Sequence, residues 1–112
     1  MVVVSRFLTF VFSFGFAKGV LVFPFILLAD RRYREDTVLL NHERIHYRQA
    51  VELLVVGFYL LYLVEFLVRY LQHRNRQQAY YRISLEREAY QHERDLGYLS
   101  QRKAWAFRYY YR

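Results

Sequence analysis

Residues 42–46 read His42-Glu43-Arg44-Ile45-His46: two imidazoles four residues apart, with a carboxylate directly after the first. On a helix, residues four apart lie on one face, one turn above the other. Both imidazoles can therefore reach a single metal ion, and Glu43 can reach a water on that ion. Metal-assisted hydrolysis needs this combination, because the ion acidifies the water and the carboxylate takes its proton. The chain has four His and seven Glu in 112 residues. Independent placement of those residues produces the pattern in about one such chain in a hundred. The competing reading is a helix whose His residues face solvent or are satisfied in a core.

Two His do not hold a catalytic zinc well, so a third protein ligand is expected. The chain has no Cys, which leaves His and carboxylates as the only ligand types and excludes disulfides. A third His at position 52 is ruled out, since Gln49 and Glu52 stand where Gly and His would be needed. The open candidates lie downstream: Glu86, Glu88, His92, Glu93 and Asp95. His73 sits too far along the intervening apolar stretch.

The elements that must position these groups follow from pattern. Residues 7–16 place Phe10, Phe12, Phe14 and Phe16 at every second position, which predicts a strand. Ala17-Lys18-Gly19 reads as a turn and residues 20–28 as a second strand, with Pro24 confining it to an edge or a bulge. Residues 1–29 are thus expected to form a β-hairpin that covers the core, or an edge beside a cleft that can pair with an extended peptide. The segment does not read as a cleavable leader or a one-span anchor, because Gly15, Lys18, Gly19 and Pro24 break its apolar run. After a charged loop, Asp36 is a suitable N-cap for a helix carrying the motif. Residues 36–73 then read as that helix and an apolar one, with Gly57 the expected bend. Residues 72–83 read as a polar link, Ser84 as the cap of a second ligand helix running to about Leu96, and Gly97 as its stop. The tail of the 84–112 segment mixes Trp105, Phe107 and three Tyr with basic residues, which predicts an interfacial segment or a helix docked on the core.

The pair of motifs has a resemblance. His42-Glu43-x-x-His46 followed by Glu86-x-x-Ala89 resembles the gluzincin zinc metallopeptidases, which include thermolysin-like enzymes, membrane proteases of prenylated proteins and the very small minigluzincins. It also resembles short bacterial proteins of this size and of unassigned activity. The likeness covers residues 37–96. It implies that Glu86 is the third ligand to Zn2+, with Glu43 as general base acting on a peptide or protein substrate. Ala89, one turn from Glu86, is small enough to let two helices approach; Glu88 lies on roughly the opposite side and is the substitute if the register shifts. The family often has Asp after this Ala, accepting a hydrogen bond from a metal-bound imidazole. Here that residue is Tyr90, so Tyr90 or Glu93 is expected to take the task. Tyr80, Tyr81, Tyr90 and Arg82 are the candidates for oxyanion stabilisation.

Composition bounds the alternatives. Hydrophobic residues make up 55% and aromatic residues 21% of the chain, which excludes disorder. The net charge of +7 comes almost wholly from 15 Arg against 2 Lys. Such an excess suits anionic lipid or nucleic acid, but the aromatics cluster in apolar runs and no nucleic-acid motif is visible. Residues 53–64 have no polar face, so that helix needs burial on every side. Twelve residues are short for a bilayer span, and extension to Leu71 admits Glu65 and Arg69. Residues 53–71 are therefore expected to contact a membrane, to mediate self-association or to form a central core helix. The whole reads as one small α+β domain: an N-terminal hairpin or small sheet, a long motif helix, a second ligand helix and a C-terminal helical tail. Its expected place is membrane-associated, otherwise cytoplasmic. The alternative to a hydrolase is a non-catalytic membrane-associated or interaction protein with a structural or degenerate metal site.

Overall fold

A computed structural model of the chain describes residues 2–13 and 18–111. The fold is α+β: a three-stranded sheet near the N-terminus, then helices. Strands β1 (Val2–Val4), β2 (Gly19–Val22) and β3 (Phe25–Leu28) lie in the order β1-β3-β2. β3 is parallel to β1 and antiparallel to β2. The hairpin is thus narrower than the 1–29 expected. It occupies residues 19–28, with Val22 opposite Phe25 and a cis Phe23–Pro24 peptide in the turn. Pro24 stands between two strands rather than inside one, where its missing N–H costs no ladder bond.

Phe10 and Phe12, the first two of the alternating phenylalanines, do not lie in a strand. Arg6–Ser13 is a helix, α1; Phe14 and Phe16, and Ala17 of the expected turn, lie outside the described residues. Local chemistry and topology both overrule the period of two. Ser5 Oγ accepts from Leu8 N–H at 3.1 Å, a helix cap. The parallel β1–β3 pair also requires a crossover connection, which a helix usually supplies.

Helix α2 (Thr37–Glu52) begins as expected, with the Asp36 carboxylate accepting from Leu39 N–H at 3.0 Å, a cap typically worth about 1 kcal/mol. Gly19 at the start of β2 lies close against β3, since an added Cβ would stand 3.1 Å from Leu28 Cδ2 and 3.2 Å from the Leu27 carbonyl oxygen. Helix α3 (Val56–His73) then turns back by 111°. The bend falls before Gly57, at Leu54 (φ 58°) and Val55 (φ 63°), with Val55 N–H closing on Ala50 C=O at 2.7 Å. Glycine usually occupies such left-handed positions; here the burial of Ala50 and Phe58 on the two sides of the corner offsets the strain.

The expected link at 72–83 contains a further helix, α4 (Arg76–Arg82), capped by Asn75 on Gln78 N–H at 3.0 Å. Helix α5 (Ser84–His92) is shorter than expected and Ser84 does not cap it. Glu65 of α3 does that work, accepting from Ser84 N–H at 2.9 Å and from Ser84 Oγ at 2.6 Å. A carboxylate also suits the positive end of the helix dipole. At the other end Asn41 Nδ2 donates to the carbonyls of His92, Glu93 and Asp95, which stops α5 short of Leu96. Gly97 instead precedes a short helix, α6 (Tyr98–Gln101). The tail docks on α5 as a 3₁₀ turn, Ala106–Tyr110, burying Phe107. Leu21, Ile26, Leu28, Ala50, Phe58, Ile83, Leu85 and Phe107 form the core; each large apolar side chain buried there contributes about 1.5–3 kcal/mol.

Candidate metal centre

Helix α2 turns Asn41, His42, Glu43, His46 and Gln49 inward. His42, His46 and Gln49 are four and three residues apart, so they share one stripe. Helix α5 packs against that stripe, and Asn41 fixes where it ends. The result brings Glu86 to both imidazoles: Glu86 Oε1 is 3.0 Å from His42 Nε2 and 2.9 Å from His46 Nε2. All three side chains are buried and their ligand-type atoms lie within 4.8 Å of one another, so the group could hold a metal ion.

The surrounding hydrogen bonds define which atoms face that point. Gln49 Nε2 donates to Glu88 Oε1 at 2.8 Å and to the Leu85 carbonyl at 3.1 Å. Both partners only accept, so Gln49 Oε1 must face His46 Nδ1, which donates to it at 2.8 Å. Glu93 Oε1 accepts from His42 Nδ1 at 2.9 Å. Each Nδ1 therefore carries its proton outward, and each Nε2 points at Glu86. Tyr62 donates its hydroxyl to Glu86 Oε2 at 2.6 Å, which leaves Oε1 for the centre. Two imidazole nitrogens and a carboxylate oxygen at these distances require positive charge between them, as a proton or as a metal cation.

The ionisation of the groups says the same. Burial opposes an imidazolium at His42, but the hydrogen bonds to Glu86 and Glu93 outweigh it and raise its pKa to about 10. Burial likewise opposes charge at His46, and the Glu86 carboxylate overcomes it. Burial alone would raise Glu86, yet the neighbouring His46 and His42 hold it well below the usual carboxylate range. In the metal-free protein, then, a proton on His42 stands where a cation would.

Glu43 is 3% exposed, and its Oε2 is a buried atom with no hydrogen-bond partner. Burial raises its pKa, moderated by His42 and His46. Tyr90 does not bond to an imidazole; Glu93 has that task. Tyr90 lays its ring against His42, edge on at 4.4 Å between centroids, and its hydroxyl is 3.0 Å from that of Tyr80. Burial raises the pKa of Tyr80 and of Tyr90, so both remain O–H donors at neutral pH. Tyr81 packs against the Tyr90 ring and is mostly exposed, as is Arg82.

The other candidates go elsewhere. Glu88 is fully buried and accepts from Arg102, Tyr98 and Gln49. Arg102 also forks onto Glu52 at 2.8 and 3.1 Å, which ties the C-terminal tail to α2. His92 stacks on Tyr98 at 3.8 Å and Asp95 accepts from Gly97 N–H. His73 ends α3. Sequence reasoning missed Gln49, Tyr62 and Asn41. Gln49 had a signal, since it lies one turn beyond His46 on the same face; Tyr62 had none.

Comparison of the chain with protein-family models, with curated proteins and with solved structures finds no match.

Proposed function

We propose that this protein is a zinc-dependent hydrolase of peptide bonds, with His42, His46 and Glu86 holding the ion and Glu43 as general base. One observation carries the reading. Two Nε2 atoms, each on a ring whose Nδ1–H is already committed, converge with one carboxylate oxygen beside a buried glutamate that has an unpartnered oxygen. The nitrogen and oxygen donors suit zinc, and a cluster of three among the described residues leaves a fourth position for water. The Glu86-x-x-Ala89 helix behind the His42–His46 motif, which resembles that of gluzincins, favours the same reaction class.

Bound zinc would supply Lewis-acid activation of a water. Glu43, a stronger base than an exposed carboxylate, takes the proton of the attacking water and returns it to the leaving amine. Glu93 and Gln49 hold the imidazoles in the ligating tautomer, and Tyr62 holds the carboxylate. Of the four candidates for the developing oxyanion, Tyr90 is best supported, because its ring touches His42 and it is 37% exposed. An extended peptide would pair with β2, a sheet edge packed on α2. The edge groups that face away from β3 include Leu21 C=O and Phe23 N–H, and both are now met by the Tyr59 hydroxyl at 3.0 and 2.9 Å. Substrate would displace that hydroxyl.

The test is zinc content and peptide hydrolysis of wild type beside Glu43→Gln and Glu86→Ala. Glu43→Gln should retain zinc and lose turnover, by about a hundredfold or more; Glu86→Ala should lose both. Equal turnover in Glu43→Gln and wild type defeats the mechanism. One observation favours a second reading, a purely structural ion: the three ligands are only 3–4% exposed. Stoichiometric zinc with no hydrolysis of a peptide library would select it.

A further inference from the structure

Helix α3 is built inside out for a helix surrounded by water. Three of its polar side chains bond to the rest of the fold: Tyr59, itself 39% exposed, to β2, Tyr62 to Glu86, and Glu65 to the start of α5; Arg69, Gln72 and His73 fall in its last two turns. Its outward face is aliphatic. Val56, Leu60, Leu63, Val64, Leu67, Val68 and Leu71 recur at helical spacing and are 44–68% exposed. From Val56 to Val68 that face carries no charge, because Glu65, the costly residue of the apolar run, is inside. The stripe is about 22 Å long at 1.5 Å per residue. Leu54, 83% exposed, extends it around the corner.

The charges are also sorted. Glu43, Glu65, Glu86 and Glu88 are buried and Glu52 and Glu93 are paired with Arg102 and His42, which leaves Glu35 and Asp95 as the exposed acids. Arg44, Arg48, Arg74, Arg76, Arg82 and Arg108 are exposed. The net charge of +7 therefore understates how cationic the surface is. Arg74 and Arg76 stand at the end of the aliphatic stripe, where α3 stops and α4 starts. The aromatic tail lies alongside, since Arg69 donates to the Tyr111 carbonyl and lies over its ring at 5.7 Å. Trp105, Tyr109 and Tyr111 are 44–66% exposed, residue types that favour the headgroup region of a bilayer.

We infer that α3 lies flat on an anionic lipid surface, its aliphatic face among the upper acyl chains and the flanking arginines and tail tyrosines among the headgroups. Charge chooses the occupant. An anionic headgroup layer complements the exposed arginines and supplies hydrocarbon in the same surface. A second copy would bring its own +7 and the same arginines against them. A flat orientation fits, because no single helix among the described residues is long and apolar enough to cross a membrane. The inference does not rest on the metal reading.

The test uses the full chain, with its single Trp105 as reporter. Vesicles of phosphatidylcholine with phosphatidylglycerol should co-sediment the protein and shift its fluorescence to the blue. Binding should fall about tenfold or more on vesicles of phosphatidylcholine alone, and weaken in about 0.5 M salt. The double variant Leu60→Ser/Leu67→Ser should lose about tenfold or more in vesicle affinity with an unchanged circular dichroism spectrum, since both side chains are more than half exposed. The inference is overturned if wild type stays in solution with anionic vesicles at low salt, or if the double variant binds them equally well. A stable dimer that the double variant dissociates, without vesicle binding by wild type, would give the face to a second copy and overturn it too.

Discussion

Gln49→Met removes the one group that commits His46 to present Nε2 to the centre. The glutamine is fully buried and no water stands in for it readily, while Met keeps its volume without a comparable acceptor. Freed from Gln49 Oε1, the imidazole can place its proton on Nε2, towards Glu86, and that proton competes with a cation. Loss of a partner that orients a metal-bound His typically lowers metal affinity about 10–100-fold, or about 1.4–2.8 kcal/mol at 1.4 kcal/mol per tenfold. Glu88 keeps Arg102 and Tyr98, but the metal-free protein should lose about 3 kcal/mol or more, at about 1 kcal/mol for each of the bonds to His46, Leu85 and Glu88. Competition for zinc against a chromophoric chelator at neutral pH measures the affinity, and thermal melting of the stripped protein measures the stability. Glu93→Ala probes the other imidazole from a partly exposed position and should cost a similar factor. If both variants bind zinc as tightly as wild type, the network does not set the tautomers and the argument for the centre fails.

Two further outcomes follow from the geometry. With the metal-free His42 pKa raised to about 10, zinc must expel a proton to bind at neutral pH, so affinity should rise about tenfold per pH unit for each proton released and keep rising above pH 7; a plateau at pH 7 would mean that His42 is not protonated there. The same shift stabilises the metal-free protein fully below the ordinary value of 6.5 and is lost as pH rises through about 10, so its melting temperature should fall across that window. Val55→Gly relieves a β-branched residue at φ 63°; it should raise stability by about 1 kcal/mol, a gain of a few degrees on thermal melting, and a loss of that size would mean that the corner is not strained.

How much of this was legible depended on how local each cause is. The motif helix and its Asp36 cap are encoded within a few residues, and the sequence is sufficient to read them. The period of two at Phe10 and Phe12 misled because a strand also needs a partner, and the partner of β1 turned out to be β3 in parallel, reached through the helix at residues 6–13 and then β2. The end of α5 and the capping of its start are set by Asn41 and Glu65, which are 51–54 and 19 residues away in sequence; no local signal reports such pairs. Glu88 illustrates the same limit. From the sequence it is the substitute third ligand, whereas its position inside the protein depends on Arg102 arriving with the tail.

That arrival links the two proposals physically. Burying Glu43, Glu65, Glu86 and Glu88 in a chain of this size is costly unless each finds a cation or donors. Among the described residues only Arg102 of the arginines is itself buried with them; otherwise the interior carboxylates are met by His42 and His46 and by neutral donors such as Tyr62, Tyr98, Gln49 and Ser84, and Glu43 Oε2 has no partner. The interior thus takes in four glutamates against one arginine, and the excess of arginine appears outside. A centre rich in carboxylates and a surface rich in arginine are two sides of one partition. Neutralising the interior at the centre itself, as with Glu86→Gln, would leave the outer charge intact and should impair the centre while sparing vesicle binding, whereas Leu60→Ser/Leu67→Ser should do the reverse.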